Sequence, residues 1–78
     1  MSSSQKQIIA VYPEYEKEIN QIFHKNELFV ELVNDYLFCK NKLKYPSSNT
    51  IEYRDAFKDL ENEIIEQIDN QKQKINSN

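Results

Sequence analysis

The 78-residue chain has no glycine, no tryptophan, one cysteine (Cys39), one histidine (His24), one arginine (Arg54) and two prolines, Pro13 and Pro46. Each shortage closes off a class of structure or chemistry. Without glycine, the phosphate-cradling loops that need a left-handed residue or a close backbone approach cannot be built. Glycine-dependent hairpin turns go with them, which weighs against an all-β chain. A single cysteine forms no internal disulfide. Length adds a further limit. A domain of this size buries roughly 60–65% of its unfolded surface, and cannot also wrap a substrate pocket of the usual ~300–1,000 Å³.

Charge and hydropathy narrow the partners. Thirteen acidic side chains stand against ten basic ones, for a net charge of −3, and the lysines are scattered along the chain. Counterion release from nucleic acid needs a clustered basic face, so no nucleic-acid partner is expected. No segment approaches the ~20 apolar residues that span a bilayer, so no membrane partner is expected either. The opening Met1-Ser2-Ser3-Ser4-Gln5-Lys6-Gln7 leads into five apolar residues, Ile8 to Tyr12, too few for a secretory core. A cytoplasmic protein is the simplest expectation.

The prolines divide the chain. Pro13 suits a first helical turn, where its missing N–H costs nothing, and Glu14, Glu16 and Glu18 then suit the helix dipole. Upstream, Ser4 and Gln7 could form a capping box, making residues 5–12 a short helix kinked by Pro13; otherwise they form an apolar arm. Asn26 either caps a new helix or lies on the polar side of one long helix. Over residues 28–43, a helical projection places Leu28, Cys39, Leu32, Leu43, Tyr36, Phe29, Val33, Leu37 and Val30 in one arc of roughly 200°. A surface helix needs a stripe of only about 100°, so this helix needs at least two neighbours. The stretch Lys44-Tyr45-Pro46-Ser47-Ser48-Asn49 reads as a loop, with Asn49 and Glu52 as a capping-box-like start to the last helix. That helix carries a narrower stripe, Tyr53, Phe57, Leu60, Ile64 and Ile68, with Glu61, Glu63 and Glu66 on a solvated side.

The expected architecture is all-α: a disordered N-terminus over 1–7, one helical domain over 8–68 with helices at about 13–25, 27–44 and 50–70, and a frayed tail over 69–78. A short loop between two long helices makes them an antiparallel hairpin. The wide arc must then be covered by the 13–25 segment folded back, by a second copy of the chain, or by both in a symmetric dimer completing a helical bundle.

Catalytic chemistry finds little to work with. On one continuous helix His24 and Cys39 would lie ~22 Å apart, too far for a dyad. Cys39 falls within the apolar arc, where cysteine behaves as a small buried hydrophobe. His24 beside Lys25 suits a helix end. For metals, the helical-bundle pattern is Glu-x-x-His on facing helices, whereas here His24-Lys25-Asn26-Glu27 is reversed and occurs once. Glu27, Glu31 and Asp35 form an acidic i, i+4, i+8 line on the polar side, so His24, Glu27 and Glu31 are the residues a metal site would have to use.

The aromatics say more. Phe29, Tyr36 and Phe57 fit core positions, Tyr12, Tyr15 and Tyr45 do not, and Phe38 projects away from the main arc. Aromatics dominate interface hot spots, so an exposed Tyr/Phe cluster would be the natural docking surface.

Three segments resemble a group of short bacterial helical-hairpin proteins of unknown function. They are Tyr12-Pro13-Glu14-Tyr15, the run Phe29-x-x-Leu32-x-x-Asp35-Tyr36-x-x-Cys39-x-x-x-Leu43, and the close Glu52-Tyr53 with Leu60-Glu61-x-Glu63-Ile64. The resemblance covers about residues 12–66 and rests mostly on core spacing. It implies a small bacterial cytoplasmic helical protein and carries no activity across. Asp35-Tyr36 is its one signature pair, with a structural role expected, Asp35 pairing with Lys42 or Lys25.

The expected function is therefore non-enzymatic: a protein–protein interaction or oligomerisation module without a cofactor, forming a homodimer or binding another protein through exposed aromatics. Phe29, Leu32, Val33, Tyr36, Leu37 and Phe38 are the expected interface. The alternative is a metal- or ligand-sensing bundle built on His24, Glu27 and Glu31.

Overall fold

A computed structural model describes residues 2–44 and 50–76. Among the described residues the fold is all-α, with helices α1 (Ser3–Val11), α2 (Glu16–Lys25), α3 (Glu27–Leu43) and α4 (Thr50–Asn76), and a 3₁₀ turn at Pro13–Tyr15 between α1 and α2. Tyr45 and the expected loop and cap over 45–49 lie outside the described residues.

Each helix boundary has a local cause. Ser2 is extended, and its hydroxyl accepts from the Gln5 N–H at 3.1 Å, so α1 starts at Ser3. This corrects two expectations. Residues 3–7 are helical, not disordered, and the cap is Ser2, not Ser4. Pro13 ends α1 because the residue before a proline is pushed off helical geometry: Tyr12 sits at φ −126°, ψ 67°. The chain then turns through Pro13–Tyr15, where the Tyr15 N–H donates to the Tyr12 carbonyl at 3.0 Å. Thus the Pro13 start expected for the second helix becomes a 3₁₀ turn, and α2 proper starts at Glu16.

Asn26 breaks the chain into two helices. Its backbone is extended (φ −136°, ψ 98°), its N–H closes α2 on the Ile22 carbonyl at 2.9 Å, and its side-chain oxygen accepts from the Phe29 N–H at 3.2 Å to open α3. One residue thereby satisfies an orphan group at each of two helix ends. His24 and Lys25 lie in the last turn of α2, where positive charge suits the dipole. At the other end of the chain, α4 runs to Asn76 through the stretch expected to fray. Gln71 explains part of that extension: it is only 7% exposed, and its amide donates to Gln21 Oε1 of α2 at 3.0 Å.

The core is Ile8, Ile19, Ile22, Phe29, Val33, Tyr36, Ile64 and Ile68, drawn from all four helices. Tyr36 stacks on Phe57 with ring centroids 4.7 Å apart, and Phe23 meets Phe29 edge-on at 5.6 Å. These contacts join α3 to α4 and to α2. Tyr12 and Tyr15, expected off the core, pack against it as partly buried residues. Helices α1 and α2 fold back on α3, α2 also meets α4, and α3 has its main neighbour in α4. The two neighbours demanded by the wide arc are thus present within one chain.

Candidate functional site

With the arc closed internally, the surface of interest is what remains outside it. Among the described residues three large apolar side chains are exposed: Leu28 at 75%, Phe38 at 55% and Ile65 at 37%. Leu28 and Phe38 lie on the same outer side of α3. Stepping along that side at helical spacing gives Leu28, Glu31, Asp35, Phe38 and Lys42, at intervals of three, four, three and four, and each is exposed. At 1.5 Å per residue this stripe is about 21 Å long. Phe38 is held by its surroundings: its ring lies 6.3 Å from that of Tyr53 on α4, and the Lys42 ammonium sits 5.3 Å from its centroid.

Open grooves border both ends of the stripe. Beside Leu28, a groove of about 270 Å³ between α3 and α4 is lined by Asn26, Phe29, Leu32, Glu63 and Gln67 as well. Beside Phe38, a wider one of about 700 Å³ lies between α3 and α1, with Ala10, Val11 and Leu37 among its apolar lining. The Ser4 hydroxyl donates to Asn34 Oδ1 across that second groove, tying α1 to α3.

The sequence-derived interface set divides sharply on this geometry. Phe29, Val33 and Tyr36 are essentially fully buried within a single chain, so they have no surface left for a second one. Leu32 and Leu37 are partly buried against the same core. Phe38 alone is exposed. Conversely, Leu28 was projected into the apolar arc and is the most exposed of the large apolar residues. Its position explains this: it is the second residue of α3, just past the Asn26 cap, at the edge of the arc, where it borders the open groove at the α2–α3 junction.

The residues considered for chemistry are not assembled for it. His24, Glu27 and Glu31 border one open groove at the α2–α3 junction, and all three are exposed. Among the described residues, however, no three His, Cys, Asp or Glu side chains are grouped to hold a metal ion. Cys39 is 7% exposed, and burial together with the nearby Asp35 carboxylate pushes its thiol above the ordinary value, disfavouring the thiolate. It lies twelve residues along α3 from Glu27, about 18 Å from the α2–α3 junction that carries His24.

One polar cluster is partly buried instead, around the buried Tyr36. The hydroxyls of Tyr12 and Tyr36 share a hydrogen bond beside Glu61, and both phenols are raised, chiefly by burial. In the sequence Tyr12 does not fit a core position. Its ring turns inward because Pro13 redirects the chain there. Raised, hydrogen-bonded phenols stay protonated and serve as a structural link between the 3₁₀ turn and α3.

No described helix is long and apolar enough to cross a membrane. No protein-family model, curated protein or solved structure matches the chain.

Proposed function

We propose that the protein is a small non-enzymatic interaction module that binds another protein through the outer face of α3. The observation that supports this reading is the pair Leu28 and Phe38, two large apolar side chains left in water by a fold that has a complete core without them. Apolar side chains on one helix face, each beside a groove, match helix-in-groove recognition. A homodimer was expected because the wide arc needed neighbours. Since α1, α2 and α4 supply them, a different protein fits the remaining surface better.

The test is a Leu28→Ser/Phe38→Ser double variant. Both positions are exposed, so the variant keeps its helical circular dichroism and thermal midpoint. Association is then measured by sedimentation equilibrium over a hundredfold concentration range, and by titration with helical peptides. An unchanged association profile in the double variant would sink the proposal.

A further inference from the structure

We infer that the partner is a cationic amphipathic helix, received along the outer seam of α3 and α4. This rests on the interaction-module reading above and adds the chemistry of the occupant. The α3 stripe supplies two apolar anchors, Leu28 and Phe38, ten residues or about 15 Å apart. A docked helix would meet them with apolar side chains about three turns apart on one of its own faces.

Charge decides what kind of helix it is. Within the stripe, Glu31 and Asp35 stand between the anchors, and Lys42 is the only cation. On α4 the exposed residues Glu52, Asp59, Glu63 and Glu66 project within an arc of about 60°. Glu63 lines the Leu28 groove between α3 and α4, and Glu52 and Asp59 project within about 40° of it, whereas Glu66 projects farther out, away from α3. The seam therefore carries five carboxylates, Glu31, Asp35, Glu52, Asp59 and Glu63, against the Lys42 ammonium, with Lys74 beyond its Leu28 end, a clear acidic surplus. Two copies meeting through this face would set one surplus against the other, so a second copy is disfavoured. An acidic or neutral helix would leave the surplus unrelieved, whereas a basic one neutralises it.

The same carboxylates strain the free protein. Glu31–Asp35 and Asp59–Glu63 are i, i+4 like-charge pairs and Glu63–Glu66 is an i, i+3 pair, spacings that destabilise a helix. A surface kept acidic against its own helices gains from a cationic partner what it loses alone. Reversing these charges should then have opposite effects on stability and on binding, a signature that a merely solvated face would not give.

The experiment is a fluorescence anisotropy titration of the full chain with three labelled 18-residue peptides. One is an amphipathic Lys/Leu helix, the second its scrambled isomer and the third a Glu/Leu helix of the same pattern. The expected result is saturable binding of the Lys/Leu helix only, weakened about tenfold or more by Phe38→Ser or Leu28→Ser and weakened by added salt. Glu31→Lys/Glu63→Lys should likewise cost about tenfold or more in affinity while its thermal midpoint stays level or rises. Equal binding of the scrambled peptide, or affinity indifferent to Phe38 and Leu28, would overturn the inference. If the chain instead self-associates, with Phe38→Ser abolishing it and the Lys/Leu helix not binding, the cationic-helix assignment fails while the interaction-module reading stands. If neither peptide binding nor self-association responds to the anchors, both fail.

Discussion

The two sides of α3 are built from similar residue types and do different work. Phe29 and Val33 on the inner side are buried among isoleucines from the other three helices, whereas Leu28 and Phe38 on the outer side are left to water. The difference lies in neighbours, not in hydrophobicity. The inner side faces three helices, and the outer side is bounded by carboxylates. A large apolar residue in this chain therefore reports on the core only when another element is placed to cover it.

The strongest way to break that comparison is to truncate one phenylalanine from each side. Phe29→Ala removes a buried ring that meets Phe23 edge-on, and should cost about 3–5 kcal/mol. Phe38→Ala, on an exposed site, should move stability by no more than about 0.5 kcal/mol. Urea denaturation followed by circular dichroism separates the two. Comparable losses would mean that the outer side is as well packed as the inner.

A smaller effect probes how α2 and α4 are joined. Gln71 is buried and its amide donates to Gln21 Oε1, so Gln21→Ala strands a buried donor and should cost about 1–3 kcal/mol. Replacing both glutamines by leucine removes the donor and acceptor together and should recover most of that loss. A double variant as unstable as the single one would show that the pair contributes more than mutual satisfaction.

Asn26 comes next. Asn26→Ala deletes the side-chain cap on the Phe29 N–H and leaves the backbone bond to Ile22 in place, for a cost of about 0.5–2 kcal/mol. Asn26→Asp keeps the cap and should retain most of the stability. A substitution to alanine without effect would mean that the break between α2 and α3 is held by packing alone.

Much of this fold is written locally. Pro13 and Asn26 mark the two breaks in the N-terminal half, and the Tyr53–Ile68 stripe marks the buried side of α4, because each depends on residues within a turn or two. The N-terminal helix was harder. The Ser4–Gln7 spacing suggests a cap two residues too late, whereas the Ser2 hydroxyl caps α1 and Ile8 of that helix reaches the core, a contact with helices far along the chain. The functional face was the least legible. The projection of α3 correctly shows a wide arc, but coverage of that arc depends on where α1 and α2 dock. Hence Phe29, Val33 and Tyr36 looked like interface and Leu28 looked like core. The 3-4-3-4 spacing of Leu28, Glu31, Asp35, Phe38 and Lys42 was present in the sequence, but only the burial of the other side gives it meaning.

Alkaline pH tests the buried inner side by another route. The Cys39 thiol and the Tyr12 and Tyr36 phenols are all raised in the folded chain, relative to ordinary values of 9.0 and 10.0. A group that holds its proton more tightly when folded contributes stability below its unfolded value, and that contribution is lost as pH rises through the folded one. Thermal midpoints should therefore stay level with respect to these groups up to about pH 9 and fall beyond it. Cys39→Ala should delay the start of the fall, and Tyr12→Phe should make it shallower above 10.0. A decline of the same onset and slope in both variants would place its cause elsewhere.

The smallest expected change is the most informative about the outer seam. Glu63 is exposed on α4, with Asp59 one turn before it and Glu66 one turn after. Glu63→Ala removes a carboxylate that repels both and introduces a better helix former, while giving up only the exposed rim of the Leu28 groove. Stability should change by no more than about 0.5 kcal/mol, in the stabilising direction, with the urea dependence unaltered. A clear loss would show Glu63 paired with a cation inside the chain. In that event the acidity of the seam would be compensated internally, and no cationic partner would be needed to relieve it.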